Sequence, residues 1–406
     1  MRPLEGITVV TLEHAIAAPF CTRQLADQGA RVIKIERPGV GDFARGYDQR
    51  THGLSSHFVW VNRSKESLAL DLKAAQSATV LERLLHKADV LVQNLAPGAA
   101  ARLGLSFEAL HERFPRLIVC DISGYGNDGP YRDRKAYDLL IQSEAGFLSV
   151  SGTPDEPAKA GCSIADIAAG MYAYSNILAA LIERGKTGRG RHIDISMLES
   201  MVEWMSYPLY YSYDDAPPPP RSGASHSTIY PYGPFPAGDG KTVMLGLQNE
   251  REWHAFCGQV LQQPALADDP RFDSNFKRSA ARTELRAVIV QAFATLTAHQ
   301  VIERLDAADI ANAHVNDMHG VWHHPQLRAR NRWTTVASPA GDLPALLPPG
   351  IRYAADARMD PIPALGEHTQ AILAELGLEP GPDLGSEPGS QPAPLAPGQD
   401  RRPDSP

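Results

Sequence analysis

An α/β fold in two domains is what this 406-residue sequence predicts, and three observations predict it. The N-terminus reads as strand, small-residue loop, helix and strand, which is a βαβ unit. The alternation of strand and helix patterns then continues for about two hundred residues, as a mostly parallel sheet with helices on its faces requires. At Asp214 the composition breaks into Asp214-Asp215-Ala216 and the proline run 217–220, a stiff, extended linker. Together they imply a large domain built on a Rossmann-like parallel sheet, followed by a smaller α+β domain.

The elements follow in order. Ile7-Thr8-Val9-Val10-Thr11-Leu12 is the first strand, and His14-Ala15-Ile16-Ala17-Ala18-Pro19 is the loop after it. A helix begins near Pro19, where proline suits a first turn, and stops at Gly29. The strand Arg31 to Glu36 closes the unit. The turn after the first strand lacks the G-x-G-x-x-G pattern, which argues against a nicotinamide dehydrogenase. Ala75 to His86 is helical; Asp89 to Asn94, Leu117 to Ile122 and Gly190 to Ser196 are strands, the last leading into a helix from Met197 to Met205. Beyond the linker, Thr242 to Leu247 is a strand, and helices fill Glu250 to Gln259, Ser279 to Ala294 and Thr297 to Ala308. The resulting division is 1–213 for the first part of the large domain, 214–225 for the linker and 226–315 for the small domain. Residues 316–378 return to the large domain. The tail 379–406 holds eight prolines and little apolar content, and is expected to be disordered.

Composition narrows the function classes. With 43% hydrophobic and 21% charged residues, the chain is that of a globular protein long enough for two cores. A formal charge of −8 and a pI near 6.0 argue against nucleic acid as a partner. No signal peptide precedes the first strand and no apolar run reaches about 18 residues, so a cytoplasmic protein with no membrane partner is expected. Cys21, Cys120, Cys162 and Cys257 lie far apart without metal spacing and read as reduced thiols, and no metal is expected. Cys162 stands four residues before Asp166 but has no activating histidine nearby in sequence.

Asp166 carries the chemical interest. The stretch Lys159-Ala160-Gly161-Cys162-Ser163-Ile164-Ala165-Asp166-Ile167-Ala168-Ala169-Gly170 delivers one carboxylate to the start of an apolar helix with no basic neighbour in sequence. A helix N-terminus favours an anion by about 0.3–1 kcal/mol, so the group is expected to be ionised. It reads either as a helix cap or as a nucleophile.

Motif runs upstream favour the second reading. In order they are Ile35-Glu36-Arg37-Pro38-Gly39 with Gly41-Asp42, then Asn62-Arg63-Ser64-Lys65, Leu70-Asp71-Leu72-Lys73, and Gln93-Asn94-Leu95-Ala96-Pro97-Gly98. Ser123-Gly124-Tyr125-Gly126, Ala136-Tyr137-Asp138 and the Asp166 helix follow. Taken together they resemble the family III CoA-transferases, the family of formyl-CoA transferase and carnitine CoA-transferase, from residue 4 to residue 370. The resemblance implies an interlocked homodimer, and a coenzyme A thioester as substrate with no permanently bound cofactor. It implies a catalytic Asp166 that is acylated by the donor as a mixed anhydride and then carries CoA as an aspartyl thioester. It further implies CoA-binding positions at His14, Ala15, Ala17, Arg37, Leu70, Lys73, Asn94, Arg102, Lys135 and Tyr137. Arginine and lysine at strand ends are the expected phosphate partners.

Two features choose among branches. Acyl-CoA racemases that share this fold resemble one another in carrying His where Tyr137 stands, and tyrosine is a poor base because its reference pKa is about 10. Transfer is therefore preferred to racemisation, which stays open beside a CoA-binding protein without turnover. Asp138 reads as the cap of the helix running on through Leu139-Leu140-Ile141. The loop from Arg221 to Gly233 lacks the polyglycine run of the formyl-CoA branch, and its continuation resembles the branch using mesaconate, itaconate, citramalate or malate. The implied partners are a donor such as succinyl-CoA and a C4–C5 dicarboxylic acceptor, whose distal carboxylate would meet Arg221 or His226.

Overall fold

The structure is a computed structural model, and it describes residues 1–379. The expectation of a disordered tail therefore falls, after Glu379, outside the described residues. Two compact units divide the chain. The first takes Met1–Ile141, Ser163–Met201 and the described residues from Trp333 to Glu379; the second takes Gln142–Cys162 and Val202–Arg332.

The first unit is built on six parallel strands: β1 (Thr8–Leu12), β2 (Arg31–Glu36), β3 (Lys65–Ala69), β4 (Val90–Gln93), β5 (Ile118–Ser123) and β6 (His192–Ser196). Their order in the sheet is β3-β2-β1-β4-β5-β6. This is the doubly wound order of the Rossmann-like sheet predicted above. Strands buried on both faces carry apolar runs rather than alternation, as Val9-Val10 in β1 and Val90-Leu91-Val92 in β4 do. On one face Val10, Leu12, Ile33, Ile35, Leu68, Leu91 and Val119 pack against Val80, Leu81, Leu84 and Leu85 of helix α2 (Ser77–Lys87). The spacing of those four leucine and valine positions gives α2 a single buried stripe, which is why it lies flat on the sheet.

Helices α1 (Ala17–Asp27) and α4 (Ile164–Thr187) pack against each other, and α3 (Asp138–Glu144) lies between β5 and α4 in the sequence. Small residues let α1 and α4 approach closely. A Cβ at Gly170 would meet the Ala17 carbonyl oxygen at 2.7 Å and Phe20 Cδ1 at 3.0 Å. By length and composition α4 could cross a membrane, the one unbroken helix among the described residues of which that is true. The expectation that no such stretch exists is thus corrected: the apolar character runs across Asp166 because Ala165, Ala168, Ala169, Ala173, Ile177 and Ala180 are buried in the unit. The helix ends at Gly188, whose φ of +73° suits a glycine cap, with its N–H bonded to the Arg184 carbonyl.

The second unit carries the antiparallel sheet β7 (Tyr232–Pro236), β8 (Thr242–Gly246) and β9 (Asn312–His314). Its core gathers Phe235, Trp253, Phe256, Phe272, Leu285, Ile289 and Phe293. The helix expected over Ser279 to Ala294 is split, with Asn275–Ala280 turning into Arg282–Phe293 at Ala281. Residues 142–162 belong here because Gly223 donates to the Gly152 carbonyl at 2.7 Å and Arg221 binds the neighbouring turn. The hairpin β10 (Trp333–Val336) and β11 (Leu343–Leu346) belongs to the first unit.

Candidate active site

In an open parallel sheet, ligands bind where strand order reverses, beyond the carboxyl ends of the strands. Here the reversal falls between β1 and β4. The loop after β1 starts at Glu13, and the loop after β4 starts at Asn94. They meet: Asn94 Oδ1 accepts the His14 N–H at 2.9 Å, and Asn94 Nδ2 donates to the His14 carbonyl at 2.9 Å.

The loop is held from its other side by Asp42. Its Oδ1 accepts the N–H of Ala15 and that of Ala44, each at 2.9 Å. Ala15 needs the hold, because its φ of +60° lies in the left-handed region that a Cβ disfavours. Behind Asp42 lies a fully buried ion cluster. Lys34 Nζ reaches Asp42 Oδ2 at 2.5 Å and Glu13 Oε1 at 3.3 Å; Lys65 Nζ reaches the same Glu13 oxygen at 2.6 Å. Asn62 Oδ1 accepts from both lysines, at 3.1 and 3.2 Å. Burial pushes the Glu13 carboxyl up, but the charges of Lys65 and Lys34 outweigh it and hold the group at about 2. Burial wins at Lys65, whose pKa falls to about 8 despite Glu13. Buried ions persist only where partners compensate their desolvation, as two carboxylates and two ammoniums do here.

His14 itself stacks on Phe43 with ring centroids 4.7 Å apart. Burial lowers its pKa from the ordinary histidine value, and its Nδ1 is buried without a hydrogen-bond partner. Ala17 opens α1, buried at 2% exposure, and the preceding Ile16 provides no side-chain cap. Arg37 is exposed just past β2, where its charge is felt by His14. Lys73 and Arg102 are exposed, as is Lys135. Leu70 is different, because its side chain is 2% exposed and belongs to the core under α2, leaving only its backbone for a ligand.

Asp166 lies in the first turn of α4, half-buried. The N-cap residue Ser163 makes no side-chain capping bond. Asp138 supplies the cap instead: its Oδ1 accepts the Ala165 N–H at 2.8 Å and the Asp166 N–H at 3.2 Å. The sequence pointed Asp138 to its own helix; its Oδ1 serves the start of α4. This second carboxylate also changes the charge of the first. Desolvation by burial, aided by the Asp138 charge, raises the Asp166 pKa to about 7. The expectation of a fully ionised group is corrected as well: one helix N-terminus contributes less than burial and a like charge remove.

The Ala136-Tyr137-Asp138 segment is set by Gly124, where a Cβ would stand 2.2 Å from the Ala136 Cβ. The Gly124 carbonyl in turn accepts the Leu198 N–H at 3.0 Å. Tyr137 projects with 70% of its surface exposed. Tyr47, absent from the sequence-based candidates, sits close enough to Asp166, Tyr137 and Asp42 for their charges to raise its pKa, after burial as the larger cause. It stands five residues after Asp42, beyond the motif run that ends there, so no motif signal marked it. In the second unit, the Arg221 guanidinium binds the carbonyls of Thr153 at 2.8 Å and Pro154 at 2.7 Å. His226 Nδ1 accepts the N–H groups of Thr228 and Ile229, and its ring stacks on Tyr232. Among the described residues no group of three His, Cys, Asp or Glu is arranged to hold a metal.

Residues 4–369 match the family model for CoA-transferase family III. The chain belongs to that family. It is similar, at 32% identity over 382 residues, to the succinyl-CoA:glutarate CoA-transferase of Homo sapiens, a match covering 93% of this chain and 86% of that protein. It is similar, at 35% identity over 331 residues, to the acetyl-CoA:oxalate CoA-transferase of Acetobacter aceti, covering 81% of this chain and 85% of the other. Among solved structures, a CAIB/BAIF family protein from Brucella suis superposes with a TM-score of 0.82 at 32% identity, covering 92% of this chain and 99% of that one. The resemblance read from the motif runs is thus the family to which this CoA-transferase belongs.

Proposed function

We propose that this CoA-transferase moves CoA from a dicarboxylic acyl-CoA such as succinyl-CoA to a C4–C5 dicarboxylate, with Asp166 as the acylated residue. The observation that carries the reading is one half-buried carboxylate in the first turn of α4, capped by Asp138, in a chain that matches the family from residue 4 to residue 369. The Asp166 carboxylate attacks the donor thioester carbonyl, the C–S bond breaks, and CoA leaves as the thiolate with the donor acyl group in a mixed anhydride. The thiolate then attacks the Asp166 carbonyl of that anhydride, which releases the donor acid and leaves an aspartyl-CoA thioester. The acceptor carboxylate repeats the two steps in reverse, so Asp166 is regenerated and nothing is oxidised or reduced. Each step is a substitution at an acyl carbon, and covalent catalysis divides one hard exchange into easier ones.

His14, Ala15, Ala17, Arg37, Leu70, Lys73, Arg102, Lys135 and Tyr137 are proposed to line the CoA, while the Asn94 side chain holds the His14 backbone. The exposed cations at 37, 73, 102 and 135 suit its phosphates. The interlocked homodimer belongs to the same proposal, as does the division into a CoA-binding domain, a small domain and a returning segment. Transfer is preferred to racemisation because Tyr137 stands where the racemases carry His. The acceptor class is supported by the absence of a polyglycine run between Arg221 and Gly233 and by the glutarate that the name of the human relative carries. Arg221, which already binds two carbonyls, and His226, whose Nδ1 already accepts two N–H groups, are the proposed partners for a distal carboxylate.

Hydroxylamine trapping tests the nucleophile: with succinyl-CoA, the mass of a hydroxamate at Asp166 is expected, and Asp166→Ala is expected to lose exchange. Retention of transfer within about tenfold, only ~1.4 kcal/mol in barrier, would sink the assignment. Competition among succinate, glutarate, mesaconate, itaconate, citramalate, malate, oxalate, butyrate and formate tests the acceptor. Equal use of butyrate, formate or oxalate would overturn the specificity and leave the transferase standing. Deuterium wash-in at the α-carbon without exchange would favour racemisation.

A further inference from the structure

Asp42 ties the buried interior to the site. It is 1% exposed, and each of its oxygens is committed: Oδ1 to the Ala15 and Ala44 N–H groups, Oδ2 to the fully buried Lys34. From the other side Asn94 holds both the N–H and the carbonyl of His14. The peptide between His14 and Ala15 is therefore gripped at both ends, and a non-glycine residue with φ of +60° persists only where its surroundings over-determine it. The next residue, Ile16, packs with Phe20 and Val61 against Ile167 and Met171 of α4. Ile167 is the neighbour of Asp166. One turn further, α4 approaches the Ala17 carbonyl where only Gly170 fits.

We propose that Asp42 and Asn94 are positioning residues for CoA transfer, a two-sided clamp on the His14–Ala15 turn that sets the start of α1 against the turn of α4 carrying Asp166. The inference rests on Asp166 being the acylated residue. It gives Asn94 a different part from a direct CoA ligand, since its carbonyl and one N–H already serve His14. A clamp acts on the geometry of the acyl carbon and the nucleophile, so its loss is felt after binding, in kcat more than in KM. It also acts wherever the thioester comes from, whether the donor carries the nucleotide or not.

The test uses the full chain with Asp42→Ala, Asp42→Asn, Asn94→Ala and the Asp42→Ala/Asn94→Ala double variant. Each is assayed with succinyl-CoA and with succinyl-pantetheine, and amide hydrogen exchange is followed over residues 13–18. For Asp42→Ala and Asn94→Ala we expect kcat to fall tenfold or more, about the scale of a small misplacement of reacting groups, with KM changed far less. The loss should be the same with either donor, and exchange at Ala15 should accelerate in Asp42→Ala. Asp42→Asn keeps an acceptor for both N–H groups, though its NH2 then faces Lys34, and should recover part of kcat. The double variant should be little worse than the poorer single one, because both act through one turn. Losses confined to KM, or present with succinyl-CoA and absent with succinyl-pantetheine, would show direct CoA contacts and overturn the clamp. So would an unchanged kcat in the presence of accelerated exchange. If Asp42→Ala does not fold, Asp42→Asn and Asn94→Ala decide by the same readouts. A wild-type protein with neither transfer nor a hydroxamate at Asp166 would overturn the functional reading and the part given to Asp42 in it, whereas the exchange rates report the clamp separately.

Discussion

The carboxylate of Asp138 caps the helix of Asp166, accepting the N–H of Asp166 itself at 3.2 Å and that of Ala165 at 2.8 Å. One side chain thus fixes the direction of the first turn of α4 and places a second negative charge beside the Asp166 carboxylate. The first effect holds that carboxylate on an ordered turn. The second, together with burial, keeps it partly protonated near neutrality, with a pKa of about 7.

Acylation needs the ionised form, so its rate in the wild-type enzyme should rise as pH passes upward through about 7. Asp138→Asn keeps an oxygen for the two N–H groups and removes the like charge, which should move the whole profile to lower pH. Asp138→Ala also loses the cap, at about 1 kcal/mol of stability. Single-turnover rates between pH 5 and 9 check this. A profile that does not move in Asp138→Asn would mean that burial alone sets the Asp166 pKa.

Stability should carry the same signature. The folded pKa of Asp166 lies above the ordinary value of 3.8, so the folded state holds its proton more tightly than the unfolded chain does. Its contribution to stability is complete below pH 4 and is lost as pH rises through about 7. Asp166→Asn is neutral throughout; it should match the wild type at low pH and become relatively more stable toward pH 8. Urea unfolding at both ends of that range measures the gap, and a gap independent of pH would contradict the buried charge.

Gly170→Ala should destabilise the enzyme, although alanine is the better helix former. The added Cβ meets a backbone oxygen at 2.7 Å, which cannot move without shifting α1. Overpacking costs about 1–3 kcal/mol and the helix propensity returns about 1, so a net loss of up to about 2 kcal/mol is expected. A melting temperature equal to or above that of the wild type would show that the two helices can part.

Arg37→Ala should raise KM for the CoA thioester with kcat nearly unchanged. Arg37 is exposed beside the His14 loop, and a phosphate contact is made equally in the ground and transition states. A collapse of kcat at constant KM would exclude that role.

What the sequence determined by itself is local or ordered along the chain. The runs Thr8–Leu12 and Val90–Gln93 carry consecutive apolar residues, Val9-Val10 and Val90-Leu91-Val92, which announce strands buried on both faces; their alternation with amphipathic helices such as Ser77–Lys87 announces a parallel sheet. The motif runs gave the family and singled out Asp166. The tertiary structure alone decided what each charged residue touches, because charges act through space. Asp42 and Lys65 stand in those runs without an evident partner, and join one buried ion cluster only when Lys34, 8 residues from Asp42, and Glu13, 52 residues from Lys65, are brought beside them. Asp138 looks like the cap of its own helix until the fold carries α4, 27 residues onward, against it. The ionisation of Asp166 is decided the same way: its sequence neighbours offer a helix start that favours the anion, and only packing supplies the burial and the second carboxylate that oppose it.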